Sequence, residues 1–291
     1  MNIIPSYKCN LNCPFCITHK FNPDLLLDLN WFKNELNNID NLNHLNIIGG
    51  EPTLLNEKYL DNLIDICHHK LNDKPDLYTN LSIISPLFNK TKLHISLNPW
   101  IINQYKIFLR NIFLISQDFK INIVVTNKFI ESNYISIINN LLKLKNLIEI
   151  SLSFYVYFDN FNLEDYTPEV DKYIEFIYNI SKIRDSRVHL FSLYSLIHNE
   201  SKDLSPENCI EVLPNNKYRI SIRDFIRTDI DIFKEYDTWK EAADITKIAI
   251  DKYLNFSNCK QCKYCNSCQR LYDEESNLKI MRKIDEYISE L

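Results

Sequence analysis

An α/β fold built on parallel strands is what the sequence predicts, and three observations predict it. Over the first two hundred residues, short apolar runs alternate with longer stretches of helical periodicity. The only two glycines of the 291-residue chain stand together as Gly49 and Gly50, directly behind one of those runs. Three cysteines crowd behind the first run, and polar residues close several others, so the chemistry-bearing residues collect at strand ends.

The apolar runs predict strands at residues 2–7, 44–48, 76–79, 93–97, 121–125 and 148–153. Helical patterns fill the intervals at 30–39, 57–71, 101–112 and 132–144, and a fifth follows at 170–183. In that fifth stretch Val170, Tyr173, Ile174, Ile177 and Ile180 share one face of a helix. Strand–helix alternation of this kind implies parallel strands joined by right-handed crossovers. A run at 190–196 reads as a further strand, and 198–206 reads as a polar linker. Residues 217–222 and 225–230 alternate about Arg223-Asp224 as a hairpin, and 278–291 forms a terminal amphipathic helix. The pattern divides the chain into domains 1–200 and 201–291, with no internal repeat and no low-complexity tract.

Composition narrows the classes. Apolar residues make up 45 %, enough for a buried core, and the net charge of −5 argues against a general nucleic-acid binder. No apolar run approaches the roughly 20 residues of a membrane span, and no secretory signal precedes the first cysteines. Nine cysteines in such a chain point to a reducing, cytoplasmic setting, where clustered thiols read as metal sites rather than disulfides.

Cys9, Cys13 and Cys16 lie in Cys9-Asn-Leu-Asn-Cys13-Pro-Phe-Cys16. Three converging thiolates hold three irons of a cubic iron–sulfur cluster and leave the fourth iron open to a substrate or cofactor. The competing reading is zinc, closed by four nitrogen or sulfur ligands, with His19 as the fourth. Gly49 and Gly50 begin Gly49-Gly50-Glu51-Pro52 behind a predicted strand. Average usage of about 7 % would give roughly twenty glycines in such a chain. Glycine is required where φ is positive or where a ligand nears the backbone; an ordinary strand-to-helix turn is the alternative.

Taken together, the cysteine triad and the Gly-Gly-Glu-Pro segment resemble the radical S-adenosylmethionine (radical SAM) superfamily, and Phe15 fits its usual aromatic before the third cysteine. The resemblance implies a partial (β/α)6 barrel of TIM type, with a 4Fe–4S cluster on Cys9, Cys13 and Cys16. It also implies S-adenosylmethionine held by Gly49, Gly50, Glu51 and Pro52, Glu51 accepting from its ammonium. Chemistry in such barrels sits at the C-terminal ends of strands. Ser96, Asn98 and Thr126 match the positions that contact ribose and carboxylate in the family, although an acidic residue often stands where Asn98 does. These residue types also favour turns at strand ends on their own account.

A second group comprises Cys209 and the evenly spaced Cys259, Cys262, Cys265 and Cys268. Two-residue gaps suit an iron–sulfur site and equally a zinc knuckle. The set resembles the SPASM/Twitch auxiliary-cluster extension, which implies one further 4Fe–4S cluster, with one cysteine to spare and Cys265 outside the family spacing. The cysteine expected at the end of the hairpin is absent. Cys67 falls on a helical apolar face and reads as core, while His68 and His69 read as solvated.

The resemblance implies reductive cleavage of S-adenosylmethionine to a 5′-deoxyadenosyl radical that abstracts hydrogen from substrate. A peptide or protein side chain is the favoured substrate, undergoing crosslinking, oxidation or epimerisation. A separate leader-binding protein and an electron donor of flavodoxin or ferredoxin type are the implied partners. A small-molecule dehydrogenase or rearrangement enzyme is the alternative, and a zinc-stabilised binding module the alternative of another class. The aromatic stretch Phe154-Tyr155-Val156-Tyr157-Phe158 reads either as core or as cavity lining, and Asp224 and Asp229 are the acids nearest the hairpin. No catalytic acid or base is legible.

Overall fold

The structure is a computed structural model describing residues 1–40, 42–155, 164–190, 205–207, 209–221, 231, 233–254 and 274–289. Its strands are β1 (Asn2–Ile3), β2 (Asn46–Ile47), β3 (Asp76–Thr79), β4 (Lys92–Leu97) and β5 (Phe119–Val125). There follow β6 (Leu147–Phe154), β7 (Val188–Leu190), β8 (Ile210–Val212), β9 (Tyr218–Ile220) and β10 (Glu235–Tyr236). Its helices are α1 (Leu29–Asn37), α2 (Glu57–Leu71), α3 (Ile102–Asn111), α4 (Asn127–Ile130), α5 (Tyr134–Leu141), α6 (Val170–Ser181), α7 (Trp239–Leu254) and α8 (Glu274–Ser289). They fall into two compact units, Met1–Ile95 with Asp203–Asn255, and Ser96–Lys202 with Phe256–Leu291.

In the first unit the strands run in the order β10-β9-β8-β1-β2-β3-β4. From β8 to β4 all neighbours are parallel, and β9 and β10 add antiparallel strands at the edge. Register places Asn2 beside both Asn46 and Glu211. Ile3, Ile47 and Leu77 are fully buried on one face, as alternation requires. α2 forms because Asn56 caps it, its Oδ1 accepting from the Tyr59 N–H at 3.3 Å. Glu57 stands in its first turn and Lys70 in its last, each sign matching the helix dipole. Leu60, Leu63, Ile64 and Cys67 are its buried stripe, so Cys67 is a core residue, and His68 and His69 are exposed.

In the second unit β5, β6 and β7 are parallel. Ile121, Ile123 and Val125 are fully buried, while Lys120, Asn122 and Val124 between them are half-buried. α8 packs on α6, with Lys279 Nζ 2.6 Å from Asp171 Oδ1. Among the described residues β10 pairs only with β9 and β7 only with β6, so both edges are open. The architecture is α/β with a large, mostly parallel sheet that is not closed, consistent with the partial barrel that the sequence predicts.

The differences have local causes. β1 is two residues long rather than six, because Pro5 has no N–H for the ladder. β2 ends early where Gly49 takes φ +123°. The hairpin that is seen joins β8 to β9 through Pro214-Asn215-Asn216, with Asn216 left-handed at φ 61°; the predicted second arm, 225–230, lies outside the described residues. α7 was not anticipated, because Ala242, Ala243, Thr246 and Ala249 make its buried face and no large apolar stripe signals it. The terminal helix begins at Glu274, earlier than expected.

Candidate metal and cofactor site

The thiols stand on a loop that leaves β1 and is tied down at its root. Ile4 N–H donates to Val212 O at 2.8 Å, Ser6 Oγ to Pro23 O at 3.2 Å, and Lys8 N–H to Ser6 Oγ at 3.2 Å. Tyr7 stacks on Phe21 with centroids 4.6 Å apart. The Arg219 guanidinium lies 5.2 Å from the Phe21 ring centroid and pairs with Glu211 at 2.6 Å, both buried. Beyond Lys8 the chain is exposed through Cys9 and Asn10. Leu11 N–H points at Cys9 Sγ (3.4 Å), Cys16 N–H closes a turn on Cys13 O (3.0 Å), and Cys16 Sγ lies 3.0 Å from Thr18 Oγ1.

Cys9, Cys13 and Cys16 are all free thiols. Cys9 is exposed as a residue, yet desolvation of its sulfur raises the thiol above its ordinary range, and burial together with Cys16 and Cys9 pushes Cys13 up to about 12. Among the described residues no three His, Cys, Asp or Glu side chains converge as ligands of one ion. Phe15 is half-buried on the loop, and His19 is exposed on the short turn Thr18–Lys20.

The glycine pair packs against this root. Gly50 N–H donates to Ser6 O at 3.1 Å and Glu51 N–H to Lys8 O at 2.7 Å. A Cβ on Gly50 would lie 2.0 Å from Lys8 O, and one on Gly49 would lie 2.8 Å from Ser6 O. Gly49 meets the first condition of the sequence argument, a positive φ, and its close neighbours are Ile4 and Ser6 of the protein itself. At Gly50 the close neighbour is the protein's own backbone.

Glu51 is buried and its carboxylate is heavily engaged. Oε1 accepts from Thr53 N–H (3.1 Å), Thr53 Oγ1 (2.6 Å) and Thr79 Oγ1 (2.7 Å), and Oε2 accepts from Asn80 N–H (2.6 Å). Burial raises its pKa, and these donors pull the other way. Since each carboxylate oxygen has two lone pairs, Oε2 retains capacity for one more donor. Pro52 is buried at the start of the following turn. Asn80, to which the sequence assigned no role, reaches the cysteine loop: its Nδ2 is 3.0 Å from Asn10 Oδ1 and 3.9 Å from Cys9 Sγ. Only the fold brings Asn80 beside the thiol, so no local motif reveals it.

In the second unit, Ser96 is half-buried at the end of β4. Gln104 clamps this strand end, its Oε1 accepting from Asn98 N–H (3.1 Å) and its Nε2 donating to Ser96 O (2.9 Å). Asn98 is buried, and its Oδ1 has no hydrogen-bond partner among the described residues. Thr126 is fully buried and caps α4, its Oγ1 accepting from Phe129 N–H at 3.1 Å. Phe154 and Tyr155 are core, Phe154 lying 4.8 Å from the Tyr173 ring.

Cys209 is buried in the first unit at the start of β8, where its carbonyl accepts from Ser221 N–H at 2.7 Å. Cys259, Cys262, Cys265, Cys268, Asp224, Asp229, Tyr157 and Phe158 lie outside the described residues.

No protein-family model and no curated protein matches the chain. Solved structures do. One described as native anSMEcpe with bound AdoMet and Kp18Cys peptide superposes with a TM-score of 0.69 at 18 % identity, covering 100 % of this chain and 96 % of that one. Streptococcus suis SuiB bound to S-adenosylmethionine gives 0.62 at 17 %, covering 92 % and 71 %. SuiB bound to precursor peptide SuiA gives 0.63 at 17 %, covering 92 % and 70 %. The chain shares the fold of these proteins.

Proposed function

We propose that the chain is a radical SAM enzyme that modifies a peptide or protein side chain. The observation that carries the reading is the packing of two sequence-distant motifs: the loop of Cys9, Cys13 and Cys16 is rooted directly on Gly49-Gly50-Glu51. The donor set fits a 4Fe–4S cluster, which gives each thiolate its own iron, better than a single zinc ion, on which all ligands must converge at about 2.3 Å. The open capacity of Glu51 Oε2 suits the ammonium of S-adenosylmethionine, and Asn98 Oδ1, without a partner among the described residues, can accept from a ligand donor. Ser96 lies beside Asn98; Thr126 fits a ligand role less well, because its hydroxyl is already a helix cap.

When bound, cluster and S-adenosylmethionine supply one-electron, hydrogen-abstracting chemistry. The protein's own part is to root the thiol loop, present the Glu51 carboxylate to the ligand, and exclude water. The peptides bound by anSMEcpe and SuiB support a peptide substrate. The reading includes an auxiliary 4Fe–4S cluster drawn from Cys209, Cys259, Cys262, Cys265 and Cys268 in a domain spanning 201–291, after a barrel domain spanning 1–200. It also includes a flavodoxin- or ferredoxin-type donor, a separate leader-binding protein, and a cytoplasmic location. No described helix is long and apolar enough to cross a membrane.

Anaerobic purification tests the reading. A brown protein with iron and sulfide, yielding 5′-deoxyadenosine on reduction with S-adenosylmethionine, is expected. A colourless zinc protein with no such product would sink it. A short open reading frame beside the gene would favour the peptide over a small molecule.

A further inference from the structure

Glu51 and Cys9 are joined through one residue, Asn80, whose backbone N–H meets the carboxylate and whose side chain meets the thiol. Asn80 N–H donates to Glu51 Oε2 at 2.6 Å, and the Thr79 hydroxyl beside it donates to Oε1 at 2.7 Å while accepting from Leu81 N–H at 3.0 Å. Leu81 takes a left-handed backbone, φ 58°, which turns the chain sharply after β3. Asn80 Oδ1 accepts from Ser82 N–H at 2.9 Å, which fixes the amide so that Nδ2 faces the cysteine loop. That nitrogen meets Asn10 Oδ1 at 3.0 Å and Cys9 Sγ at 3.9 Å, and Asn10 Nδ2 returns to Ser82 Oγ at 2.8 Å. Asn80 is buried, with 8 % of its surface exposed, so its donor is shielded from competing water.

We propose that Asn80 is a positioning residue whose Nδ2–H donates to the Cys9 thiolate and sets the reduction potential of the cluster that thiolate holds. The inference rests on the cluster reading above. Hydrogen bonds to cluster sulfurs are one of the levers that set cluster potentials. They favour the more electron-rich state, because a donor stabilises added negative charge. Of the three thiols, Cys9 is the one given two such donors, Leu11 N–H and Asn80 Nδ2, among the contacts described. The backbone N–H of the same residue is held by the carboxylate of Glu51, in the Gly49-Gly50-Glu51 segment. The end of β3 therefore couples that segment to the electronic state of the cluster.

The test is a redox titration of the reconstituted protein, followed by the EPR signal of the reduced cluster, with iron and sulfide measured for every variant. Asn80→Ala removes the donor, and Asn80→Ser removes it without adding charge while keeping an oxygen that can accept from Ser82 N–H. Asn10→Ala breaks the loop contacts but leaves Asn80 free to donate. The expected result is a shift to lower potential in both Asn80 variants, read as a smaller reduced fraction at fixed dithionite, and a near wild-type potential in Asn10→Ala. Unchanged potentials in the Asn80 variants, or an equal shift in Asn10→Ala, would overturn the proposal. Should Asn80→Ala fail to fold, Asn80→Ser decides alone. A wild-type protein that takes up no iron and sulfide defeats the cluster reading instead, and the two failures are thereby distinct.

Discussion

Replacing Gly50 with alanine asks whether this glycine serves the protein's own backbone or only an incoming ligand. The added Cβ would sit 2.0 Å from Lys8 O, 2.5 Å from Lys8 C and 2.7 Å from Tyr7 C, all backbone atoms. No rotamer change relieves such a clash, and restoring ordinary contact near 3.4 Å moves the two segments apart by more than an ångström. That separation stretches the Gly50 N–Ser6 O bond of 3.1 Å and the Glu51 N–Lys8 O bond of 2.7 Å out of range. Two lost hydrogen bonds cost about 1–3 kcal/mol together, and overpacking adds about 1–3 kcal/mol. The expected loss is therefore about 2–6 kcal/mol. Urea unfolding of the metal-free, thiol-reduced protein measures it, because no ligand is then present to contribute. Gly50→Ala with unchanged metal-free stability but weakened S-adenosylmethionine binding would refute the backbone argument and return the glycine to ligand approach.

Glu51→Gln turns one of two accepting oxygens into a donor facing Thr53, Thr79 or Asn80, and should cost about 1–3 kcal/mol in the same unfolding assay; an unchanged midpoint would contradict it. Thr126→Ala removes the cap on α4 and should cost about 1 kcal/mol, with Thr126→Ser recovering most of it. Asp185 is held down to about 2, first by hydrogen bonds from the Arg187 side chain and then by the Arg187 N–H. Its folded value lies below the unfolded value of about 3.9, so its stabilisation is present above about pH 4 and is lost as pH falls through about 2. With the side chain 30 % exposed, the pair is worth at most about 1 kcal/mol. Asp185→Asn should lose that at neutral pH and converge on wild type in acid, and a gap that stays constant across the acid range would count against it.

Much of the fold was legible because apolar periodicity reports it directly. α2 and β3 have the bounds their patterns predict, since capping Asn56 and the buried Leu60-Leu63-Ile64-Cys67 stripe agree with one another. Patterning failed where backbone chemistry decides. Pro5 truncates β1, the Pro214-Asn215-Asn216 turn creates a hairpin between three-residue strands, and small buried residues carry α7. At the candidate site, spacing marked Cys9, Cys13, Cys16 and Gly49-Gly50 as special. It carried no sign that Glu51 would be met by Thr53, Thr79 and Asn80, because two of those partners lie 28 and 29 residues away. A hydrogen-bond partner brought in by parallel pairing leaves no local trace.

The first unit is discontinuous, and β1 lies between β2 and β8, strands from its two separate segments. On a ribosome the roughly one hundred residues between those segments take about 5–20 s to appear at about 5–20 residues per second. Throughout that interval β1 has one unpaired edge, and Arg219 and Leu213 are not yet there to pack beneath Tyr7 and Phe21. The thiol loop is thus made early and locked late. On the proposed cluster reading, iron and sulfide delivered during synthesis would meet an open loop, and iron and sulfide delivered afterwards one whose root is already fixed.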